Sequence, residues 1–180
     1  MERPLKDNNQ INQFEQIMLP HLDAAYNLAR WLTRNDHDAE DLVQMAFVRA
    51  VKFFDGYQDG NARAWLLTIV RHTFYTSLRD NRQDEQAFDE DLHSPLPDAS
   101  SPEQSQNRRD TCRIVNQALE QLPNTFREVL ILKEMEELSY REIADLAGIP
   151  IGTVMSRLAR ARKLLLTYLN TAGSGESHGM

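Results

Sequence analysis

Apolar residues along this chain fall repeatedly at intervals of three and four, the spacing that lays one stripe along an α-helix. Val43, Phe47, Ala50 and Phe54 follow the order four, three, four, and Val154, Leu158, Ala161 and Leu165 repeat it. Each set predicts a helix with one buried side. Trp65, Leu66 and Ile69 also sit at helical spacing and predict a core-facing side for the segment from Gly56 to Arg82. The pattern is helical throughout, so the expected fold class is all-α: two small helical domains joined by a flexible acidic linker.

Polar residues mark where these helices begin and end. Asp38 can cap the helix that carries Val43. In SYREIADLAGIPIGTVMSRLARARKLL, residues 139–165, Ser139 and Glu142 have the spacing of a capping box: the hydroxyl accepts an orphan amide and the carboxylate reaches back. Gly148 stands where a left-handed residue ends that helix, and Pro150 suits the opening of the next. Two helices around a turn of about four residues predict a helix-turn-helix. The stripe from Val154 packs on the first helix. The opposite face carries Thr153, Ser156, Arg160 and Lys163, with Arg157 at its margin, hydroxyl and cationic groups suited to phosphates and guanine edges.

Composition fits an ordinary soluble protein of one or two small domains, with 41% hydrophobic and 26% charged residues in 180. No apolar stretch reaches the 18 or so residues that span a bilayer, and the N-terminal MERPLKDNNQ is too polar for a secretory signal. The expected location is the cytoplasm, without membrane insertion.

A net charge of -7 argues against DNA binding until it is divided along the chain. Residues 49–82 hold six cations against three acids, and residues 139–169 five against two, so both stretches are net basic. The acid is concentrated between Asp84 and Asp110, where eight carboxylates oppose only Arg108 and Arg109 in a run rich in Pro, Ser and Gln. That composition predicts a linker. Within residues 56–82, Tyr57, Trp65, Phe74 and Tyr75 are interleaved with Arg63, Arg71, Arg79 and Arg82, a combination suited to single-stranded DNA. An overall acidic chain also predicts weak DNA binding when alone.

The segment LEQLPNTFREVLILKEMEELSYREIADLAGIPIGTVMSRLARAR, Leu119 to Arg162, resembles the promoter-reading fourth region of bacterial sigma factors. DAEDLVQMAFVRAVKFF and NARAWLLTIVRHTFYTSLRDNR resemble the second region, and no third region is recognisable between them. The pattern is similar to the small extracytoplasmic-function (ECF) class. The resemblance implies a region 2-like domain over 11–82, an acidic linker over 83–110, a region 4-like domain over 111–170 and a flexible tail over 171–180. It implies core RNA polymerase and promoter DNA, both duplex and single-stranded, as partners, together with an anti-sigma factor.

It also implies site residues. Asp41, Gln44, Met45, Phe47 and Val48 would face core polymerase, although the family commonly has an acid at the position of Met45. Arg71, His72, Tyr75 and Arg79 would face the melted proximal (−10) element, with Phe54, Tyr57 and Asn61 in a loop that receives a flipped base. His72 departs from the frequent asparagine. Thr153, Met155, Ser156, Arg157, Arg160 and Lys163 would read the distal (−35) element, Met155 standing where relatives carry a polar or basic residue.

Catalytic chemistry is not legible. Cys112 is the single cysteine, the five histidines show no metal-ligand spacing, and no phosphate-binding loop occurs. No catalytic residue, metal or cofactor is expected. The competing expectation is a stand-alone helix-turn-helix regulator that binds duplex operators as a dimer.

Overall fold

A computed structural model describes residues 8–84 and 106–175. The helices are α1 (Asn8–Met18), α2 (Leu22–Thr33), α3 (Asp36–Phe53), α4 (Ala62–Asp84), α5 (Gln106–Gln121), α6 (Asn124–Glu134), α7 (Tyr140–Ala147) and α8 (Ile151–Gly175). Single 3-10 turns cover Leu19–His21 and Phe54–Gly56, and no strand occurs among the described residues. The chain divides into two compact units with the boundary between Ser94 and Pro95.

In the first unit α2, α3 and α4 pack on one another, and α1 lies against α4. Small residues set the spacing: Ala25 and Ala29 of α2 and Ala39, Ala46 and Ala50 of α3 are all fully buried. Met18, Leu28, Leu66, Leu67 and Val70 fill the remaining volume at 0 or 1% exposure, each large side chain contributing about 1.5–3 kcal/mol by leaving water. Thr73 is buried too, and its hydroxyl donates to the Ile69 carbonyl at 2.7 Å, so the core of α4 holds no orphaned hydroxyl there.

The start of α3 differs from the expected cap at Asp38. Asn35 is the cap: its backbone is extended and its Oδ1 accepts the Asp38 amide at 3.1 Å. Arg34 ends α2 in the left-handed region at φ 57°, donating to the Arg30 carbonyl at 2.8 Å. The nearly buried Arg30 pairs with Asp36, which also accepts from the Tyr26 hydroxyl at 3.4 Å. The acidic run thus anchors α2 to α3 through Asp36, while Asp38, Glu40 and Asp41 stay exposed.

In the second unit α8 packs against α5, α6 and α7. Both ends of α7 are as the sequence predicts. Ser139 Oγ accepts the Glu142 amide at 3.1 Å while the Glu142 carboxylate accepts the Ser139 amide at 2.8 Å. Gly148 has φ 65°, and the Ile149 amide closes the turn on the Ala144 carbonyl at 3.1 Å. The turn is three residues, 148–150, rather than about four.

The expected boundaries shift: α1 begins at Asn8 rather than 11, and α4 runs through Asp84, past the expected linker start at 83. Helix α5 takes in residues 106–110, assigned to the linker from composition, and α8 continues through Gly175, beyond the start of the expected tail at 171. The central part of the acidic linker, 85–105, and the last residues, 176–180, lie outside the described residues.

Candidate nucleic-acid interface

Helix α8 begins on a proline: the amides of Thr153 and Val154 both donate to the Pro150 carbonyl, at 3.0 and 3.1 Å. Val154, Leu158 and Ala161 are then buried at 0 to 1% exposure, whereas Leu165, the expected fourth member of the stripe, is half-buried. This packing fixes what the other side displays. Met155, Ser156, Arg160 and Lys163 are exposed, and Thr153 and Arg157 are half-buried at the margins. The Ser156 hydroxyl donates to the Thr153 carbonyl at 3.1 Å. Arg162 turns away from this set and bonds Glu134 of α6 at 2.6 Å. That hydrogen bond raises the guanidinium pKa above its ordinary value, burial opposing it and the Glu134 charge adding to it. Arg162 therefore ties α8 to α6, and the outward cations of this stretch are Arg157, Arg160 and Lys163.

On α4, Arg71, Tyr75 and Arg79 recur every four residues and form one row, with His72 beside it. The Arg71 guanidinium lies over the Tyr75 ring at 4.5 Å, and Phe74 meets the same ring nearly edge-on at 5.2 Å. Tyr75 is 38% exposed, and His72 and Arg79 are exposed with it. A ring held by a cation and a neighbouring ring, with area left open, offers a stacking platform beside positive charge.

The loop before α4 is organised from behind. Phe54 is 7% exposed. It packs edge-on to Phe14 at 5.3 Å and stacks on Tyr57 at 5.8 Å, so it joins the core, as the apolar stripe predicts, and does not offer the open ring expected of it in a base-receiving loop. Its burial comes from α1, forty residues away in sequence. Gln10 of α1 adds a hydrogen bond to Asp55 at 3.1 Å. Tyr57 meets Trp65 at 5.4 Å and its hydroxyl donates to the Gly60 carbonyl at 2.9 Å. Asn61 Oδ1 accepts the Ala64 amide at 3.1 Å, capping α4, so this side chain holds the helix start in place.

Helix α3 shows a second exposed row. Asp41, Gln44, Met45 and Val48 stand at i, i+3, i+4 and i+7, and Val48 is 71% exposed. Phe47 is not in it: its ring turns inward, edge-on to Phe14 at 6.2 Å. His37 Nε2 lies 3.6 Å from the Asp41 carboxylate.

Two family descriptions match in order: "Sigma-70 region 2" over residues 17–83 and "Sigma-70, region 4" over residues 112–165. The ECF RNA polymerase sigma factor SigW of Bacillus subtilis is 32% identical over 166 residues, covering 87% of this chain and 88% of SigW. The chain belongs to the ECF sigma factors. SigE of Mycolicibacterium smegmatis is 34% identical over 164 residues, which are 91% of this sigma factor but only 64% of SigE. Among solved structures, the Bartonella quintana sigma factor RpoE, in complex with the anti-sigma factor NepR, matches with a TM-score of 0.70 and 32% identity over 88% of this chain and 97% of that one.

Region 2 of this sigma factor thus spans α2 to α4, and region 4 runs from α5 into α8. Among the described residues, no group of three or more His, Cys, Asp or Glu is placed to hold a metal ion, and no helix is long and apolar enough to cross a membrane. Cys112 is exposed on α5.

Proposed function

We propose that the chain is an alternative sigma factor that joins core RNA polymerase in the cytoplasm and directs promoter-specific initiation, the polymerase performing the chemistry. The observation that carries this reading is the presence, on one chain, of two compact units matched in order to regions 2 and 4, each with an exposed cation-bearing helix face. A stand-alone regulator accounts for the second unit only.

The work divides by surface. The α3 row of Asp41, Gln44, Met45 and Val48 faces core polymerase, with Phe47 positioning the row from the inside. The α4 row holds the melted strand: Tyr75 stacks an unpaired base while Arg71, His72 and Arg79 follow the backbone, and Tyr57 and Asn61 shape the loop that takes a flipped base. Opening duplex costs about 1.4 kcal/mol of stacking per step, so several such contacts must act together. Thr153, Ser156, Arg157, Arg160 and Lys163 dock on the distal element, where cations supply affinity and hydroxyls and guanidinium edges supply discrimination. An anti-sigma partner is part of the proposal, since the similar RpoE structure is a complex with one.

The test is transcription from fragmented genomic DNA by purified core polymerase with and without the chain, mapping new RNA 5′ ends. New starts that share two spaced upstream elements are expected. Arg160→Ala should lose output while retaining core binding, and Asp41→Arg should lose core binding first. Identical defects from both changes would defeat the division of labour.

A further inference from the structure

The exposed side of α8 holds two parallel rows, each spaced by four residues. One is Gly152, Ser156 and Arg160. The other is Ile151, Met155 and Ala159, all exposed, with Ile151 at 41% and Met155 at 53%. Covering this apolar row would take its area out of water, and its place beside cations limits the partner. These residues occupy the first three turns of α8, and the opening of the second helix of a helix-turn-helix is the part that meets base edges. Arg157, Arg160 and Lys163 follow within the same helix and complement phosphates on either side. In the major groove the one apolar group a base pair presents is the C5 methyl of thymine.

We propose that Met155, with Ile151 beside it, reads thymine methyl groups and sets base preference within the distal element. This rests on the reading of α8 as the duplex-facing helix and adds to it a contact with no hydrogen bond. Met155 is suited to the task because an unbranched thioether adapts to an irregular apolar surface. Ala159 continues the row without bulk, so nothing beyond Met155 holds the helix away from the groove. The neighbouring Ser156 hydroxyl gives its proton to Thr153, leaving lone pairs to accept from an exocyclic amine on the adjacent base.

The experiment uses holoenzyme assembled from core polymerase and the full chain, with promoter duplexes recovered by that holoenzyme from a randomised pool. Each thymine of the distal element is replaced in turn by deoxyuridine, which removes one methyl and nothing else. One or two positions should lose about fourfold in binding, the effect of a single buried methyl-sized group. Met155→Ala and Met155→Gln should abolish the difference between thymine and uracil, a coupling that a double-mutant cycle isolates. Arg160→Ala should weaken both duplexes equally. If Arg160→Ala weakens binding but no uracil does, the methyl contact is overturned and the duplex-facing helix stands. If neither matters, the reading of α8 falls as well. Discrimination that survives in the Met155 variants, or loss of core assembly in them, also overturns the proposal.

Discussion

Phe54 and Tyr75 are both aromatic residues of the first unit, yet their surroundings give them opposite tasks. Phe54 is enclosed by Phe14, Tyr57 and Trp65, whereas Tyr75 keeps open area beside Arg71. Phe54→Ala should cost the unit about 3–5 kcal/mol in denaturant unfolding, the usual effect of emptying a buried ring site. Tyr75→Ala should leave unfolding nearly unchanged and weaken binding to single-stranded promoter DNA by about 1–3 kcal/mol. His21 makes a different kind of prediction. Burial, and then the Arg63 charge, lower its pKa below 6.5. The unfolded chain therefore takes up a proton at this site before the folded one does. Stability is retained above pH 6.5 and falls as pH drops through that value and then through the lower folded pKa. Melting temperatures at pH 7.5 and pH 5.5 should differ more for the native chain than for His21→Leu, a comparison that differential scanning fluorimetry can make.

Helix α7 was legible in the sequence from end to end, because its signals are local: a hydroxyl and a carboxylate three residues apart at the start, a glycine at the stop. The start of α3 was not. Asp38 has the chemistry of a cap, but the choice of Asn35 depends on the left-handed Arg34 and on the Arg30 to Asp36 pair, which bring α2 into the decision. The same limit applies to the α3 stripe. Its last member, Phe54, falls in a 3-10 turn and is buried by α1, and Phe47 is turned inward by that same helix. Periodicity gives the buried side of one helix; it does not say which distant helix covers a residue at the edge. The extension of α8 to Gly175 was missed because Gly173 and Gly175 read as breakers. Caps give a direct prediction. Ser139→Ala should cost the second unit about 1 kcal/mol, and Gly148→Val should cost more, since a β-branched side chain is strained at φ 65°. Guanidinium unfolding of each single variant against the native chain measures both costs.

Along the full chain, charge is partitioned rather than summed. The two helix faces are cationic while the chain carries -7 overall, and one apparent cation of α8, Arg162, is committed to Glu134. Three outward cations on α8 neutralise at most about three phosphates, so this helix should contribute a fall of log K with log salt at a slope of roughly -0.9 per phosphate. The chain alone should bind promoter duplex only in the micromolar range or weaker at physiological salt, and holoenzyme far more tightly, as fluorescence anisotropy across a salt series would record. Tight binding by the chain alone would favour the operator-binding regulator.

Of two tryptophans in the chain, Trp31 is in α2, and Trp65 sits against Tyr57 beside the turn that Asn61 closes. A base that enters this turn must disturb the indole's surroundings. With Trp31→Phe, Trp65 becomes this chain's single indole, and its emission should change as the strands part if the proposed loop receives a base.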